Sequence, residues 1–429
     1  MLPEILSQLS KERRQQIMRR SAVDIGDVYS QVAKLVEDVR KQGDSANLKQ
    51  HAALKPGCAI EDFKVRPAEI AAAYEQVDAR VVAALKVAAN NIRTFHTAQM
   101  EKPQWEVEVS AGIRAGRKTT PLERVGCYVP GMRAVYPSTA LMTILPAKVA
   151  GVKQVVVCSP PDKDLVINPQ TLVACDIAGV NDIYKLGGPW AIASMAYGTG
   201  LVPKVDKIVG PGNKYVTAAK MLVFGQVDID SPAGPSEALI IADDTANPHW
   251  LALDFLAQME HDPDSAAVLV TDSRWLAAAV CDAIKDVLPT LPRQDILKES
   301  GRYAAVLVVD NLCQALEFSN EYAPEHLQIC TTNPWAILAE VTNAGSIFLG
   351  PYAPVAVGDY ASGTNHVLPT ALGARMFSGL SVDDFIKKPT YQYLTREGLN
   401  ALAPTVITLA ENEGLFVHAL SVRRRMEDD

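Results

Sequence analysis

The sequence predicts an α/β fold with parallel sheets. Three observations carry the prediction. Short, apolar, β-branched runs recur from Arg124 onward. Each run ends in a turn rich in glycine or proline. A stretch with helical periodicity then follows, and strand, turn and helix repeated at this interval is the pattern of βαβ units. The chain has 429 residues, which suggests two or three domains at roughly 150 residues each.

The first hundred residues read as helical. Asp27 to Gly43 carries Val28, Val32, Leu35, Val36 and Val39 on one stripe, closed by Gly43. Pro67 to Met100 continues in that style. Residues 1–23 are polar and read as a helical arm. Ser138 to Val152 is apolar but holds Pro146 and Lys148, and is too short to span a bilayer, so it reads as a buried helix.

Strands are predicted at Gln154 to Cys158, Ile183 to Leu186 and Lys207 to Val209, with helices at Ala191 to Tyr197 and Lys214 to Phe224. A second α/β region offers strands at Ala238 to Ala242, Ala267 to Thr271, Ala304 to Val309 and Ser346 to Leu349, with a helix at Trp250 to Met259. From about Ser381 the tail is poor in strand signals and helical at Leu402 to Glu413 and around Leu420.

Composition excludes several classes. Basic residues number 41 and acidic residues 49, for a formal charge of −8. A nucleic-acid binder needs a basic face for phosphates, so that class is disfavoured. No membrane span or secretory leader is legible. The seven cysteines are odd in number and widely spaced, with no Cys-x-x-Cys. That disfavours a disulfide framework or thiolate zinc site and fits a reducing cytoplasm.

Several segments offer chemistry. Gly210-Pro211-Gly212-Asn213 joins a strand to a helix whose N-terminus suits phosphate, although a plain tight turn is the simpler reading of this segment alone. Gln258 and His261 stand three apart at the end of a helical run, where both could reach one metal or His261 could merely cap the helix. Tyr322-Ala323-Pro324-Glu325-His326 sets a carboxylate beside an imidazole, either a surface pair or an acid–base pair. Gly358 to His366 is a polar loop after an apolar strand, with Asp359 as an oxygen ligand and His366 as a substrate contact, or else a solvated turn. His418, near the C-terminus, reads by default as solvated and idle.

Taken together these motifs resemble the histidinol dehydrogenase family. The segments carrying the likeness are Arg124 to Gly131, Gly210 to Asn213, Ser231 to Glu237, Gln258 to Ser265, Tyr322 to His326, Gly363 to Pro369 and Leu380 to Phe385. They stand in the family's order. The resemblance implies oxidation of L-histidinol to L-histidine with two NAD and one zinc. It implies Gln258, His261, Asp359 and His418 as zinc ligands that also line the substrate site. Glu325 and His326 become the catalytic pair, and Ser236, His366 and Glu413 substrate contacts. Tyr128 and Asn213 match cofactor contacts.

It further implies a homodimer of two incomplete Rossmann-like α/β domains with a swapped tail. The expected parts are a helical arm at 1–23, a first domain at 24–127 with 237–380, a second at 128–236, and a tail at 381–429 that completes the neighbour's site.

Two positions depart from the family's pattern. Gly131-Met132-Arg133 replaces Gly-Gly-Arg, and Gly187-Gly188-Pro189-Trp190 replaces Gly-Gly-Ala-Gln. Both lie on the cofactor side, so Trp190 stands where the family places a cofactor contact. A paralogous zinc and NAD dehydrogenase for another small polar alcohol, and a metal-binding scaffold without redox activity, are the competing readings.

Overall fold

A computed structural model describes residues 2–20, 26–52, 55, 57–131, 135–232 and 234–427. The chain divides into two compact units, Met1–Gln99 with Leu122–Phe385, and Met100–Pro121 with Ile386–Asp429. The first unit is mixed α/β and holds two parallel sheets, as the βαβ pattern predicts.

One sheet has six strands in the order Glu4–Ile5, Ala305–Val308, Ala266–Thr271, Glu237–Ala242, His326–Cys330, Ser346–Leu349. All neighbours run parallel. The central strands are apolar along their whole length because both faces are covered. Leu239 and Ile241 join one core cluster while Ile240 and Ala242 join another, which is the period-two alternation of a strand.

The other sheet has five strands in the order Ile183–Tyr184, Gln154–Cys158, Arg124–Tyr128, Lys207–Val209, Asp228–Ile229, again all parallel. Its core takes in Val28, Val32, Val36 and Val39 from the helix Gly26–Gln42, so the predicted stripe does face a core. The helix Pro137–Val149 is buried from Ser138 to Ala147, as its all-round apolar composition requires.

The arm is not helical throughout. Glu4–Ile5 adds a short edge strand beside Ala305–Val308, and the helix is Lys11–Arg19. Residues 21–25 and Met132 with Arg133 lie outside the described residues, so the predicted arm's end and one departure from the family pattern go with them.

The second unit differs from the strand-poor tail expected. Thr390–Leu394, Ile113–Lys118 and Gln104–Ser110 form an antiparallel sheet in that order, and Ile386–Lys387 pairs with Thr120–Pro121. Residues 100–121 therefore group with the tail, where the sequence reading set them in the first α/β domain. Helices Arg396–Asn412 and Phe416–Glu427 complete this unit.

Candidate active site

Two adjacent strands of the six-stranded sheet set the chemistry. Ala238 lies opposite His326 in the parallel register, which brings the start of Glu237–Ala242 beside the start of His326–Cys330. Glu325 and His326 are both almost fully buried. Glu325 Oε2 accepts from the Ser236 hydroxyl at 2.7 Å and from the Glu237 N–H at 2.8 Å. The same hydroxyl accepts from Gln258 Nε2 at 2.8 Å.

The direction of this relay follows from its end. An ionised carboxylate can only accept, so Ser236 donates to Glu325 and must accept from the Gln258 NH₂ group. Gln258 Oε1 is left buried without a hydrogen-bond partner. A buried, unpaired carbonyl oxygen is costly unless something binds it.

His326 Nδ1 stands 3.1 Å from the Glu237 main-chain carbonyl oxygen. A carbonyl only accepts, so Nδ1 carries the proton and Nε2 is the basic nitrogen in neutral imidazole. Nε2 is buried, has no hydrogen-bond partner, and lies 3.5 Å from Asp359 Oδ1. Burial opposes a charge on His326, but Glu325 and Asp359 outweigh it and push its pKa up to about 9. Burial likewise raises Glu325, against the pull of His326 and of its two donors.

Asp359 also approaches His261, with Oδ2 3.8 Å from Nε2. Its main-chain carbonyl accepts from His366 Nδ1 at 2.8 Å, while His366 Nε2 faces Thr139 Oγ1 at 3.2 Å. Gln258, His261, Ser236, Asp359, His366 and the Glu325–His326 pair are thus gathered in one place. Among the described residues, no three His, Cys, Asp or Glu side chains form a metal-holding group. The remaining donor here is an amide oxygen, and His418 belongs to the second unit. There His418 lies on the helix Phe416–Glu427, and Glu413 caps Arg396–Asn412; both are exposed.

Two local expectations change. The helix carrying Gln258 ends at Met259, and Glu260 is its C-cap, so His261 lies beyond the helix rather than on its face. Asp359 belongs to a short helix, Val355–Tyr360, rather than to a loop. The site also sits at the amino ends of the six-stranded sheet, because Glu237 and His326 open their strands. The chain after Ser346–Leu349 returns to that end to deliver Asp359.

A cleft of about 1820 Å³ continues from His326 and Asp359 to Tyr128, Trp190 and Asn213. These lie at the carboxyl ends of the five-stranded sheet, where open α/β sheets bind ligands. Asn213 caps the helix Lys214–Val223, its Oδ1 accepting from the N–H groups of Tyr215 and Val216. The Tyr128 hydroxyl accepts from the Gly188 N–H at 3.1 Å. Trp190 is half-buried and lies in the first turn of the helix Gly188–Tyr197.

Three residues with a part here were missed in the sequence. Glu237 sets the His326 tautomer, and its carboxylate pairs with Arg20 Nη1 at 2.8 Å. Burial, against the pull of Arg20, pushes Glu237 up to about 7. Thr139 sits inside a largely apolar helix that also carries Ser138 and Thr143, so its hydroxyl gives no distinct signal. Glu237 did end a quoted motif, which was the available clue.

The chain matches the histidinol dehydrogenase family model over residues 18–426. It is 50% identical over 424 residues to "Histidinol dehydrogenase" of Methanothermobacter thermautotrophicus, covering 99% of each chain. It is 50% identical over 427 residues to that of Methanocaldococcus jannaschii, covering 100% of this chain and 99% of the other. The crystal structure of histidinol dehydrogenase from Elizabethkingia anophelis matches with a TM-score of 0.94 and 38% identity, covering 100% of this chain and 98% of that one. With the site geometry and a likeness that runs almost end to end, the chain belongs to the histidinol dehydrogenase family, oxidoreductases of histidine biosynthesis.

Proposed function

We propose that the chain oxidises L-histidinol through L-histidinal to L-histidine, with NAD as hydride acceptor and zinc in the site. The condition of His326 carries this reading: a buried imidazole, tautomer fixed by the Glu237 carbonyl, with a bare Nε2 in the cleft wall. A base in that state takes the hydroxyl proton at each alcohol-level oxidation, from the carbinol first and from the aldehyde hydrate second. Glu325, adjacent and held by Ser236 and Glu237, helps activate the water that the second oxidation requires.

The donors fit a zinc ion. Gln258 Oε1 is an orphaned buried acceptor, Asp359 and His261 face each other across 3.8 Å, and the set is nitrogen and oxygen only. Bound there, zinc would fix the amine and imidazole of the substrate and, by neutralising Asp359, let His326 fall toward the range of a neutral-pH base. His418 of the partner subunit would be the fourth ligand, and Glu413 of the partner subunit a substrate contact, in a homodimer with swapped tails. Ser236 and His366 complete the substrate shell.

NAD, the hydride acceptor, would lie on the carboxyl ends of the five-stranded sheet, against Tyr128, Asn213 and Trp190. Two incomplete Rossmann-like halves, one built on the six-stranded sheet and one on the five-stranded sheet, then face the cleft from its two sides. Seven free thiols support a cytoplasmic setting. Among the described residues no helix is long and apolar enough to cross a membrane.

The test is NADH absorbance with L-histidinol and a panel of amino alcohols, using zinc-loaded protein. Two NADH per L-histidinol is the expected result. Oxidation of another alcohol alone, or of none, refutes the proposal.

A further inference from the structure

Lys220 and Asp230 form an ion pair buried on both sides, and the chemistry above does not use it. Burying two charges is expensive, and an apolar pair of similar volume commonly serves stability as well. What the charges provide here is direction, because they hold the two peptide units on either side of the Gly210 Cα. Asp230 Oδ2 accepts the Gly210 N–H at 2.7 Å. Lys220 Nζ donates to the Gly210 carbonyl at 3.1 Å and to Asp230 Oδ1.

Gly210 needs such a clamp. Its φ is +120°, a region L side chains rarely enter, and a Cβ there would collide with the Tyr128 carbonyl. The turn is therefore pressed onto the backbone of Tyr128. Lys220 lies on the helix that Asn213 caps, so the pair ties the first residue of the Gly210–Asn213 turn to the element that receives its last. Asp230 follows the edge strand Asp228–Ile229 and opens the segment that leads to Ser236.

We infer that the buried Lys220–Asp230 pair is a positioning device for the dinucleotide, holding the backbone on both sides of Gly210 and so the Gly210–Asn213 turn in the shape that receives it. The inference rests on the proposed seating of NAD at this turn. Lys220 and Asp230 touch neither substrate nor cofactor; they act through the backbone of Gly210.

Fluorescence titration with NADH and steady-state kinetics on the full-length, zinc-loaded protein test it. Lys220→Met should weaken NADH binding and raise the KM for NAD about tenfold, the effect of one lost charge-assisted hydrogen bond. The KM for L-histidinol should stay within about twofold on the same grounds. A protein loosened in general would lose both substrates alike. If Lys220→Met does not fold, Lys220→Met with Asp230→Asn removes both charges and keeps an acceptor for the Gly210 N–H. That double variant should fold and bind NADH weakly.

Asn213→Ala separates the two levels of the argument. Wild-type NADH affinity in the Lys220 variants, with affinity lost in Asn213→Ala, overturns the positioning role and leaves the seating intact. Wild-type affinity in all of them overturns the seating and the inference together. Equal losses for NAD and L-histidinol also overturn the inference.

Discussion

Ser236→Ala removes one oxygen atom and breaks the relay that orients two functional groups. In the folded protein that oxygen donates to Glu325 Oε2 at 2.7 Å and accepts from Gln258 Nε2 at 2.8 Å. The bond to the carboxylate contributes about 1.5–3 kcal/mol and the amide bond about 0.5–1.5 kcal/mol. Their loss sums to about 2–4.5 kcal/mol if all of it is felt in the transition state, or roughly thirtyfold to two-thousandfold in kcat/KM. The amide loses its reason to present NH₂ to Ser236, so Gln258 Oε1 no longer points reliably at the proposed metal position. Two readouts follow. The kcat/KM for L-histidinol, from NADH absorbance, should fall by about a hundredfold. Zinc retained after dialysis, from elemental analysis, should fall as well. A variant within about threefold of wild type, with its zinc intact, would show that the relay orients nothing the reaction needs.

Other perturbations address the metal, the assembly and the fold. Prolonged chelation should abolish L-histidinol oxidation, and zinc or manganese should restore it, since a nitrogen and oxygen donor set admits several divalent ions; full turnover by protein shown to be metal-free contradicts the ligand assignment. His261→Ala and His418→Ala, each inactive alone, should regain activity when mixed under conditions that exchange subunits, because one site of the mixed dimer is then intact; inactive heterodimers, verified as such, would assign His418 to its own subunit. Asp182 is held below the usual carboxylate range: burial pushes it up, but Lys64, Gln154 and Tyr184 outweigh burial. A lowered folded-state pKa contributes stability above the unfolded value near 3.8, which is lost as pH falls through the folded value. Asp182→Asn should therefore melt below wild type at pH 7, with the gap closing below about pH 4; a gap that is constant with pH would contradict this origin.

The parts of the molecule that were readable in the sequence are those where local pattern and burial agree. Gln154–Cys158 keeps its predicted bounds because a β-branched run ends at Ser159-Pro160-Pro161 and both of its faces are covered. Gln104–Ser110 alternates Trp105, Val107 and Val109 with Glu106 and Glu108, yet these apolar side chains remain exposed, so no core reinforces the signal. The site residues were readable as types in motifs, but not as an arrangement. The amino-end location depends on the register that sets Ala238 opposite His326, a pairing between segments far apart in the chain. Arg20 behind Glu237 depends on the same long-range closure. His261 shows the limit of spacing arguments, since the three-residue interval held while the helix stopped short.

The edge strand Glu4–Ile5 has a consequence for how the protein is made. Its partner is Ala305–Val308, far along the chain, so this pairing waits until that later segment has been made. The five-stranded sheet draws on one continuous stretch, Arg124 to Ile229, and can close during synthesis. The six-stranded sheet closes later, because its other strands lie between Glu237 and Leu349. Until Val308 emerges, the Glu4–Ile5 segment has no edge to join. Closing so long a loop late is slow in chain-entropy terms. The proposed catalytic pair, Glu325 and His326, is therefore made only after every strand of the proposed nucleotide half.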